Sequence, residues 1–585
     1  TNLKKNFDPV TDRYQTTWSE INVSCQACHG PGEAHVAWAD TVEEGSTASA
    51  ADRGLPVDYR GNDSRYQVET CARCHSRRHR VSPDDAHGRP LLDDFVPATL
   101  REGLYHADGQ ILDEVYVYGS FLQSRMYHQG VRCSDCHDVH STQVLKAGNA
   151  LCVQCHNPSP PERFPTLQSK NYDSPRHHFH LPDSPDSKAV QCVDCHMPSQ
   201  TYMVVDPRRD HSFRIPRPDL TVKLDAPNAC SLCHSDKPAQ WAADAITKWY
   251  GTDSRPPHYG EILARARQSD LAAYGALLAL ATDTAQPAIV TATALELLQH
   301  YGPREETARA LRDSLQHADP LVRLTATDTL GEMLSVAGLN DLLIPLDDPV
   351  RAVRMEAAQA LAPVPRETLD PQQQAALQRV LDEYREAQQA MADTPEAHLN
   401  LGVLHAALGD TATAEADYKK AIDIAPGFVP ARVNLANLYN QIGRNLDAER
   451  QLRDAIGYAP DEGELYYSLG LLLAEDKRLT EAANLLATAT RLLPDRARVQ
   501  YNYALLLQNL ERRDEAEVAL QKAYSVYEQD PDIVYALVIF YSQDERWDEA
   551  LVYARKLAAL APENPGTRQL IKQIEQQRGA PAAGD

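Results

Sequence analysis

Cys133-Ser-Asp-Cys136-His137, followed shortly by Cys152-Val-Gln-Cys155-His156, is the stretch that decides how the first part of this chain folds. The same Cys-x-x-Cys-His pattern begins again at Cys25, Cys71, Cys192 and Cys230, so six copies account for all 12 cysteines. In every copy a histidine directly follows the second cysteine. A pattern repeated with no thiol left over predicts one repeated chemistry rather than a mixture of unrelated cysteine sites.

Cys-x-x-Cys-His is the attachment signal for c-type haem, in which both thiols bond to the porphyrin and the histidine ligates the iron. Zinc knuckles and redox dithiols also use Cys-x-x-Cys, but neither requires the following histidine in every copy. We therefore predict six covalently attached haems. The predicted thioether bonds are at Cys25, Cys28, Cys71, Cys74, Cys133, Cys136, Cys152, Cys155, Cys192, Cys195, Cys230 and Cys233. The predicted first iron ligands are His29, His75, His137, His156, His196 and His234.

The charge of the chain limits its partners. Its 585 residues carry a formal net charge of -24, and the acidic residues are spread along the sequence. Nucleic acids and anionic membranes both require clustered Lys and Arg, so neither is an expected partner. No run of about 18 apolar residues occurs, and no transmembrane segment is predicted.

Covalent haem attachment takes place outside the cytoplasm. We therefore expect a periplasmic or extracellular protein made with an export signal. Neither such a signal nor an initial Met is present, so we expect the numbering to begin inside a mature or truncated product. Further haem motifs before Thr1 are compatible with this expectation.

Histidines outside the motifs decide whether each iron has a second ligand. Ten occur before residue 236, and they are His35, His79, His87, His106, His128, His140, His177, His178, His180 and His211. This supply is large enough for every haem to be ligated by two histidines. Such an iron has no open position and carries electrons, whereas an open iron could bind a substrate.

We expect second ligands at His35, His106, His128, His140, His178 and His211. His140 follows His137 by three residues and would share a helix face with it. One haem takes its ligands from opposite faces, so His140 should ligate a neighbouring haem. The segment His177-His178-Phe179-His180 should supply one ligand. We take His178 as that ligand, although the sequence does not choose among the three histidines. His79 is expected at the surface or beside a propionate, and His87 is left open.

Arginines and tyrosines near the motifs have two interpretations. Arg125, Arg132, Arg208 and Arg209 would pair with haem propionates, or they would hold an anionic substrate over an open iron. Tyr116, Tyr118 and Tyr202 would pack on porphyrin faces or line such a pocket. The structural interpretation is preferred for both groups. No Cys-x-x-Cys-Lys motif occurs in the chain, and no catalytic residue is predicted.

Residues 236–365 are Ala- and Leu-rich and contain a weak repeat. Arg323-Leu-Thr-Ala-Thr-Asp-Thr-Leu330 resembles Arg354-Met-Glu-Ala-Ala-Gln-Ala-Leu361, and an Asp-Pro pair precedes each. This arrangement resembles a HEAT repeat, although the spacing is short; a plain helical linker domain is the alternative. A connecting helix is expected over residues 366–395.

Residues 396–563 repeat with a period of 34, the length of a tetratricopeptide (TPR) unit. Alanines recur in step at Ala414, Ala448, Ala482, Ala516 and Ala550, and prolines close units at Pro426, Pro460 and Pro494. Five TPR repeats are predicted, followed by a capping helix and a tail over residues 564–585. The predicted fold is mainly α: an irregular multihaem cytochrome domain at residues 1–235, then an α-solenoid of HEAT-like and TPR repeats.

Three stretches resemble a bacterial family of multihaem c-type cytochromes with C-terminal TPR repeats. They are Thr16-Thr-Trp-Ser-Glu-Ile-Asn-Val-Ser-Cys-Gln-Ala-Cys-His-Gly-Pro-Gly32, Glu102-Gly-Leu-Tyr-His-Ala-Asp-Gly-Gln-Ile-Leu112 and Tyr202-Met-Val-Val-Asp-Pro-Arg-Arg-Asp-His-Ser-Phe213. The family is similar, at a distance, to octahaem nitrite reductases and hydroxylamine oxidoreductases. The resemblance implies a multihaem cytochrome more strongly than any particular reaction.

Three functions compete. The leading hypothesis is an electron carrier with closely spaced haems, redox protein partners, and repeats for protein contact or for homo-oligomeric, even filamentous, assembly. The second is a reductase of a small nitrogen or sulfur oxyanion, of the nitrite or hydroxylamine type, at one open haem. The third is a redox-linked TPR scaffold in which the repeats are the functional part.

Overall fold

The computed structural model describes residues 3–9, 11–42, 53–59, 61, 63–84, 87–180, 191–252, 255–333, 338–560 and 564–579. The chain divides into two compact units, Thr1–Ala392 and Asp393–Asp585. Helices dominate the secondary structure of both units, which confirms the mainly α prediction. Within the described residues, no helix combines the length and the apolar character needed to cross a bilayer.

Short elements make up the haem-motif region, residues 3–235. Its strands form antiparallel pairs, which are β1 (Phe7–Asp8) with β2 (Arg13–Tyr14), β3 (Arg78–Arg80) with β4 (Phe95–Pro97), β5 (His137–Asp138) with β6 (Gln143–Val144), and β7 (Ser199–Tyr202) with β8 (Asp206–Arg209). Its helices are α1 (Cys25–His29), α2 (Glu33–Ala39), α3 (Ser64–His75), α4 (Tyr118–Leu122), α5 (Arg125–His128), α6 (Ala150–Val153), α7 (Pro175–His178), α8 (Cys192–His196), α9 (Pro218–Leu224) and α10 (Cys230–Cys233).

Only some of the motifs begin helices. Helices α1, α8 and α10 start at the first cysteine of a motif, but α3 ends at His75. Helix α3 instead begins where the Asp63 carboxylate accepts a hydrogen bond from the Arg65 amide at 2.9 Å, an N-cap that starts the helix well before the motif. In the third motif, Cys133–Asp135 forms a 3-10 turn that leads directly into strand β5.

The prediction that His137 and His140 share a helix face is wrong. His137 lies in β5, and His140 lies in the turn between β5 and β6. The Asp138 carboxylate accepts hydrogen bonds from the His140 amide at 3.1 Å and the Ser141 hydroxyl at 2.7 Å. This local side-chain bonding stabilises a turn in place of a helix.

Longer helices follow in the same unit. They are α11 (Ala239–Tyr250), α12 (Tyr259–Arg267), α13 (Tyr274–Thr282), α14 (Ala288–Leu297), α15 (Glu305–Ser314), α16 (Pro320–Glu332), α17 (Leu339–Leu343), α18 (Arg351–Leu361) and α19 (Pro371–Gln389). The two Asp-Pro pairs have a structural role here. Asp319 caps α16, and Asp348 accepts hydrogen bonds from both ends of the Arg323 guanidinium, at 2.7 and 3.0 Å. This pair ties the start of one repeat to the helix of the previous repeat.

The long helices also support the haem-motif region. The Leu100 amide donates to the Thr293 hydroxyl of α14 at 3.0 Å, and the Arg351 amide donates to Asp93 at 2.8 Å. Leu91, Leu100 and Tyr105 are fully buried. Residues 90–122 therefore pack around a core of amino-acid side chains.

The second unit is built from antiparallel helix pairs. They are α20 (Pro395–Ala407) with α21 (Thr411–Ile424), α22 (Val429–Gln441) with α23 (Asn445–Tyr458), α24 (Gly463–Glu475) with α25 (Leu479–Leu492), α26 (Ala497–Asn509) with α27 (Arg513–Val526), and α28 (Pro531–Gln543) with α29 (Trp547–Leu560), followed by α30 (Pro565–Gly579). A Cβ at Gly402 would lie 2.5 Å from the Tyr418 ring, so only glycine fits this helix crossing. The tail predicted from residue 580 onward lies outside the described residues.

Candidate haem sites

The six motifs are arranged in space in the order in which they occur in the sequence. Cys28 lies close to Cys71 and Cys74. Cys71 lies close to Cys133, and the Ser134 hydroxyl donates to the Gln67 side chain of α3 at 2.9 Å. Cys152 lies close to Cys192, and the Cys192 amide donates to the Asn149 side chain at 2.9 Å. Cys136 lies close to Cys155, and Cys195 close to Cys230 and Cys233. Each motif therefore has the next motif as a neighbour, and haems attached to them would form a continuous series.

All twelve cysteines are free thiols. Burial raises the pKa of Cys195 to about 11, with the neighbouring Cys230 acting in the same direction. The cysteine chemistry fits covalent haem attachment and does not depend on a disulfide framework.

Three motif histidines are paired with a histidine from another segment. The ring centroids of His137 and His211 are 6.4 Å apart with an angle of 22° between the planes. For His196 and His177 the values are 6.0 Å and 8°, and for His234 and His180 they are 6.3 Å and 22°. An iron bonded to one imidazole nitrogen on each face, at about 2 Å, places the two ring centroids about 6 Å apart. The pairs therefore have the separation that a haem iron between them requires.

Hydrogen bonds fix the orientation of several of these rings. Nδ1 of His196 lies 2.6 Å from the Arg214 carbonyl oxygen, and Nδ1 of His211 lies 2.9 Å from the Arg209 carbonyl oxygen. A histidine that binds a metal through Nε2 commonly uses its Nδ1–H in this way. Burial also lowers the pKa of His211, so its imidazole is neutral, as a metal ligand must be.

The other three motif histidines have different neighbours. The His29 ring lies 5.4 Å from the Tyr59 ring, and the His156 ring lies 5.7 Å from the Tyr172 ring. Burial and the charge of Arg208 lower the pKa of His75. Neither tyrosine was predicted from the sequence, because nothing in the spacing around Tyr59 or Tyr172 connects it to a motif.

The predicted second ligands lie in varied surroundings. His211 is paired with a motif histidine, as described above. His35 bonds to the Arg53 carbonyl oxygen at 2.6 Å and stacks on Trp38, whereas the side chain of His140 is 84% exposed. Burial lowers the pKa of both His106 and His128.

Three histidines outside the predicted set of second ligands lie near motifs. His178 is 6.2 Å from the ring of His180, and it is His177 and His180 that approach motif histidines. His87, left open by the sequence, has its Cβ near Gly30, directly after the first motif. The ligand set of the first, second and fourth haems stays a prediction.

The predicted propionate partners already contact protein groups. Arg208 pairs with Glu114 and with Asp206, and Arg209 bonds to Asp194 at 2.9 Å. Arg132 donates to the carbonyl oxygens of Tyr59 and Gly61. A small cavity beside the end of α3 is lined by Tyr116, Tyr202, Arg208 and Arg209. Tyr118 is buried and does not line this cavity.

Comparison with protein families matches separate parts of the chain. Residues 127–160 match the doubled CXXCH motif, which indicates covalent haem c at the third and fourth motifs. Residues 275–392 match HEAT repeats, and residues 374–427, 405–470 and 497–530 match tetratricopeptide repeats. These matches support the HEAT and TPR interpretations. The TPR match that begins at residue 374 also includes most of α19. No curated protein matches the chain.

Similar solved structures match less than a third of the chain. A crystal structure of MamA is 24% identical, with a TM-score of 0.26, and covers 28% of this chain and 95% of its own. YrrB, described as a TPR protein with an unusual peptide-binding site, is 20% identical, with a TM-score of 0.27 and coverages of 32% and 93%. Pseudomonas aeruginosa pilF is 22% identical, with a TM-score of 0.28 and coverages of 32% and 85%. At these values the similarity carries no further conclusion.

Proposed function

We propose that this protein is an extracytoplasmic c-type cytochrome that carries electrons along six covalently attached haems. The observation that carries the proposal is the order of the motifs, in which every motif neighbours the next one. When bound, the haems supply the redox chemistry. The chain supplies twelve thioether bonds, imidazole ligands and a fixed spacing between the irons.

The histidine pairs support electron transfer more than catalysis. An iron with an imidazole on each face has no position for a substrate and stays low-spin in both oxidation states. The backbone carbonyls bonded to His196 and His211 hold those rings in place. A ligand set that hardly moves on oxidation keeps the reorganisation energy of electron transfer low.

The repeats would bring the haem series to its partners. HEAT and TPR arrays present extended surfaces for other proteins, and they contain no redox group of their own. We propose that they bind a redox partner or a second copy of this chain, outside the cytoplasm. Light scattering at high concentration tests self-association, and a strictly monomeric protein would exclude the assembly part of the proposal.

A reductase is the second candidate because of the surroundings of His75. Arg208 acts electrostatically on this histidine and also lines the cavity with Tyr116 and Tyr202. Arg208, if released from its pairing with Glu114, would hold a small oxyanion such as nitrite in this cavity, beside an iron. This candidate requires an open iron on the second haem.

One experiment separates the two candidates. Intact mass gives the number of attached haems, and low-temperature EPR of the oxidised protein gives their spin states. Only low-spin ferric signals would support the electron carrier. A high-spin signal of about one haem equivalent, together with turnover of nitrite or hydroxylamine by reduced dye, would support the reductase. A protein without covalent haem would overturn both.

A further inference from the structure

The segment Pro175–Phe179 and the following His180 lie between two neighbouring haem motifs. His177 pairs with His196 of the fifth motif, and His180 pairs with His234 of the sixth, at 6.0 and 6.3 Å between ring centroids. The sequence predicted one ligand from this segment. The geometry brings two of its imidazoles to two different motifs.

Ordinary aromatic packing could also place two rings about 6 Å apart. Two observations favour an iron between them. The nearly parallel arrangement occurs three times, and each time it joins a motif histidine to a histidine from outside any motif. In addition, Nδ1 of His180 lies 2.6 Å from the His178 carbonyl oxygen and Nδ1 of His196 lies 2.6 Å from that of Arg214. This is the bond that directs Nε2 of a histidine toward a metal.

The backbone of the segment explains how both rings reach their motifs. Helix α7 ends at His178, and Phe179 adopts a left-handed conformation with φ 58°. This conformation is costly for a residue with a side chain and needs support from its surroundings. It changes the direction of the chain between His177 and His180, so that the two rings serve different motifs.

The C-terminal end of α11 provides that support. The Phe179 ring stacks on Trp249 with a centroid distance of 4.6 Å and an angle of 3°. The Tyr250 hydroxyl donates to the His177 carbonyl oxygen and lies 3.3 Å from Nδ1 of the same residue. Near the start of the same helix, Trp241 lies 4.9 Å from the His234 ring. Helix α11 therefore contacts both the segment 177–180 and His234 of the sixth motif.

We propose that residues 177–180 form a shared ligand clip for two haems. His177 is the second axial ligand of the fifth haem, and His180 is the second axial ligand of the sixth. Phe179, Trp249 and Tyr250 are positioning residues that hold the clip. This inference rests on the proposed haem binding. It links the last two haems of the series through one segment, and within each histidine pair the ring planes are within 22° of parallel.

Single substitutions His177→Ala and His180→Ala test the clip, with intact mass and low-temperature EPR measured on the full-length haem-loaded protein. Each variant should keep the wild-type number of haems and gain a high-spin ferric signal of about one haem equivalent, which added imidazole converts back to low-spin. His300→Ala, at an exposed position in the HEAT repeats, is the control and should leave the spectrum unchanged. A full haem complement without new high-spin signal in the two test variants would overturn the clip and leave the proposed function intact.

Three further variants keep the test decisive if an alanine variant fails to accumulate. His177→Met retains a ligand atom, so the fifth haem should stay low-spin while its reduction potential rises. Trp249→Ala should broaden the low-spin signals of the last two haems, and Trp249→Phe should restore them because a ring is again available for Phe179. An unchanged potential in His177→Met would count against the ligand assignment. Wild-type protein without haem would instead overturn the proposed function itself.

Discussion

The short helices of the haem-motif region bury few side chains, whereas the helices of the TPR unit bury many. Helices α1, α2, α8 and α10 contain no buried residue, and the same holds for α5, α6 and α7. In the TPR unit, Ala414, Ala482 and Ala516 are completely buried within a core of Leu and Tyr side chains. The TPR unit therefore carries its core in its own sequence, whereas these short helices contribute no buried residue of their own, and the proposed haems would cover them.

Removal of the haems should have the largest effect, and it tests the comparison directly. If all twelve motif cysteines are changed to alanine, residues 1–235 should lose protection around the motifs because no apolar core replaces the porphyrins. The TPR unit should remain protected. Hydrogen exchange followed by mass spectrometry measures both regions in one sample. Equal protection of α1, α8 and α10 with and without haem would contradict the comparison.

Gly402→Ala should destabilise the TPR unit by about 1–3 kcal/mol, because its new Cβ would overlap the Tyr418 ring. Gly457→Ala is the matched control. Its Cβ would meet nothing within 4 Å, and alanine there should stabilise α23 by about 0.5–1 kcal/mol. Chemical unfolding followed by far-UV circular dichroism gives both changes. The haem spectrum should stay unchanged in each variant, and a stabilised Gly402→Ala would mean that the close crossing is not required.

The HEAT helices should become less stable as the pH rises from about 5 to 8. Burial, with Asp328 and Glu332 nearby, raises the pKa of Glu356 to about 8. The folded state keeps a proton on this carboxyl group that the unfolded state has lost above its ordinary pKa, so stability falls across this range. Glu356→Gln should reduce the dependence and leave the part that comes from Asp328, whose pKa burial raises to about 6. Thermal unfolding at several pH values measures it, and equal slopes in both proteins would exclude Glu356 as its source.

Arg478→Ala should have the smallest effect. Arg478 bonds to Glu449 at 2.5 Å and to Glu481 at 2.7 Å, and it links neighbouring TPR repeats at the surface. Partly exposed ion pairs contribute little and are screened by salt, and Glu449 keeps its pairing with Arg453 at 2.6 Å, so the loss should be small and should shrink at high ionic strength. Arg450→Ala, at a position that is 69% exposed, provides the control. A large, salt-independent loss would show that the ion pairs of Arg478 contribute substantially to the stability of the TPR unit.

Sequence patterns predicted the repeats far better than they predicted the second ligands. The period of 34 depends on contacts between residues that are near in sequence, and each repeat reuses the same small residues at the same crossing. His140 shows why the ligands were harder. Its spacing from His137 suggested a helix, but the Asp138 carboxylate stabilises a turn there and the side chain is exposed.

In the segment around Phe179, the sequence offered no preference among the candidate ligands. Its three histidines are adjacent in sequence, and no periodicity distinguishes them. The choice of His177 and His180 depends on a left-handed residue and on Trp249, which is 70 positions away in the chain. Contacts of this kind are made by tertiary packing and leave no local pattern.

By itself, the sequence determined the haem-attachment chemistry, the mainly α class and the repeat architecture. Each of these depends on covalent bonds or on contacts within one repeat, so residue identity and spacing are sufficient. Only the tertiary structure decided the order of the motifs in space and the pairing of His211, His177 and His180 with motif histidines. Those features depend on where loops without periodicity place single side chains, and that placement is fixed by long-range packing against helices such as α11.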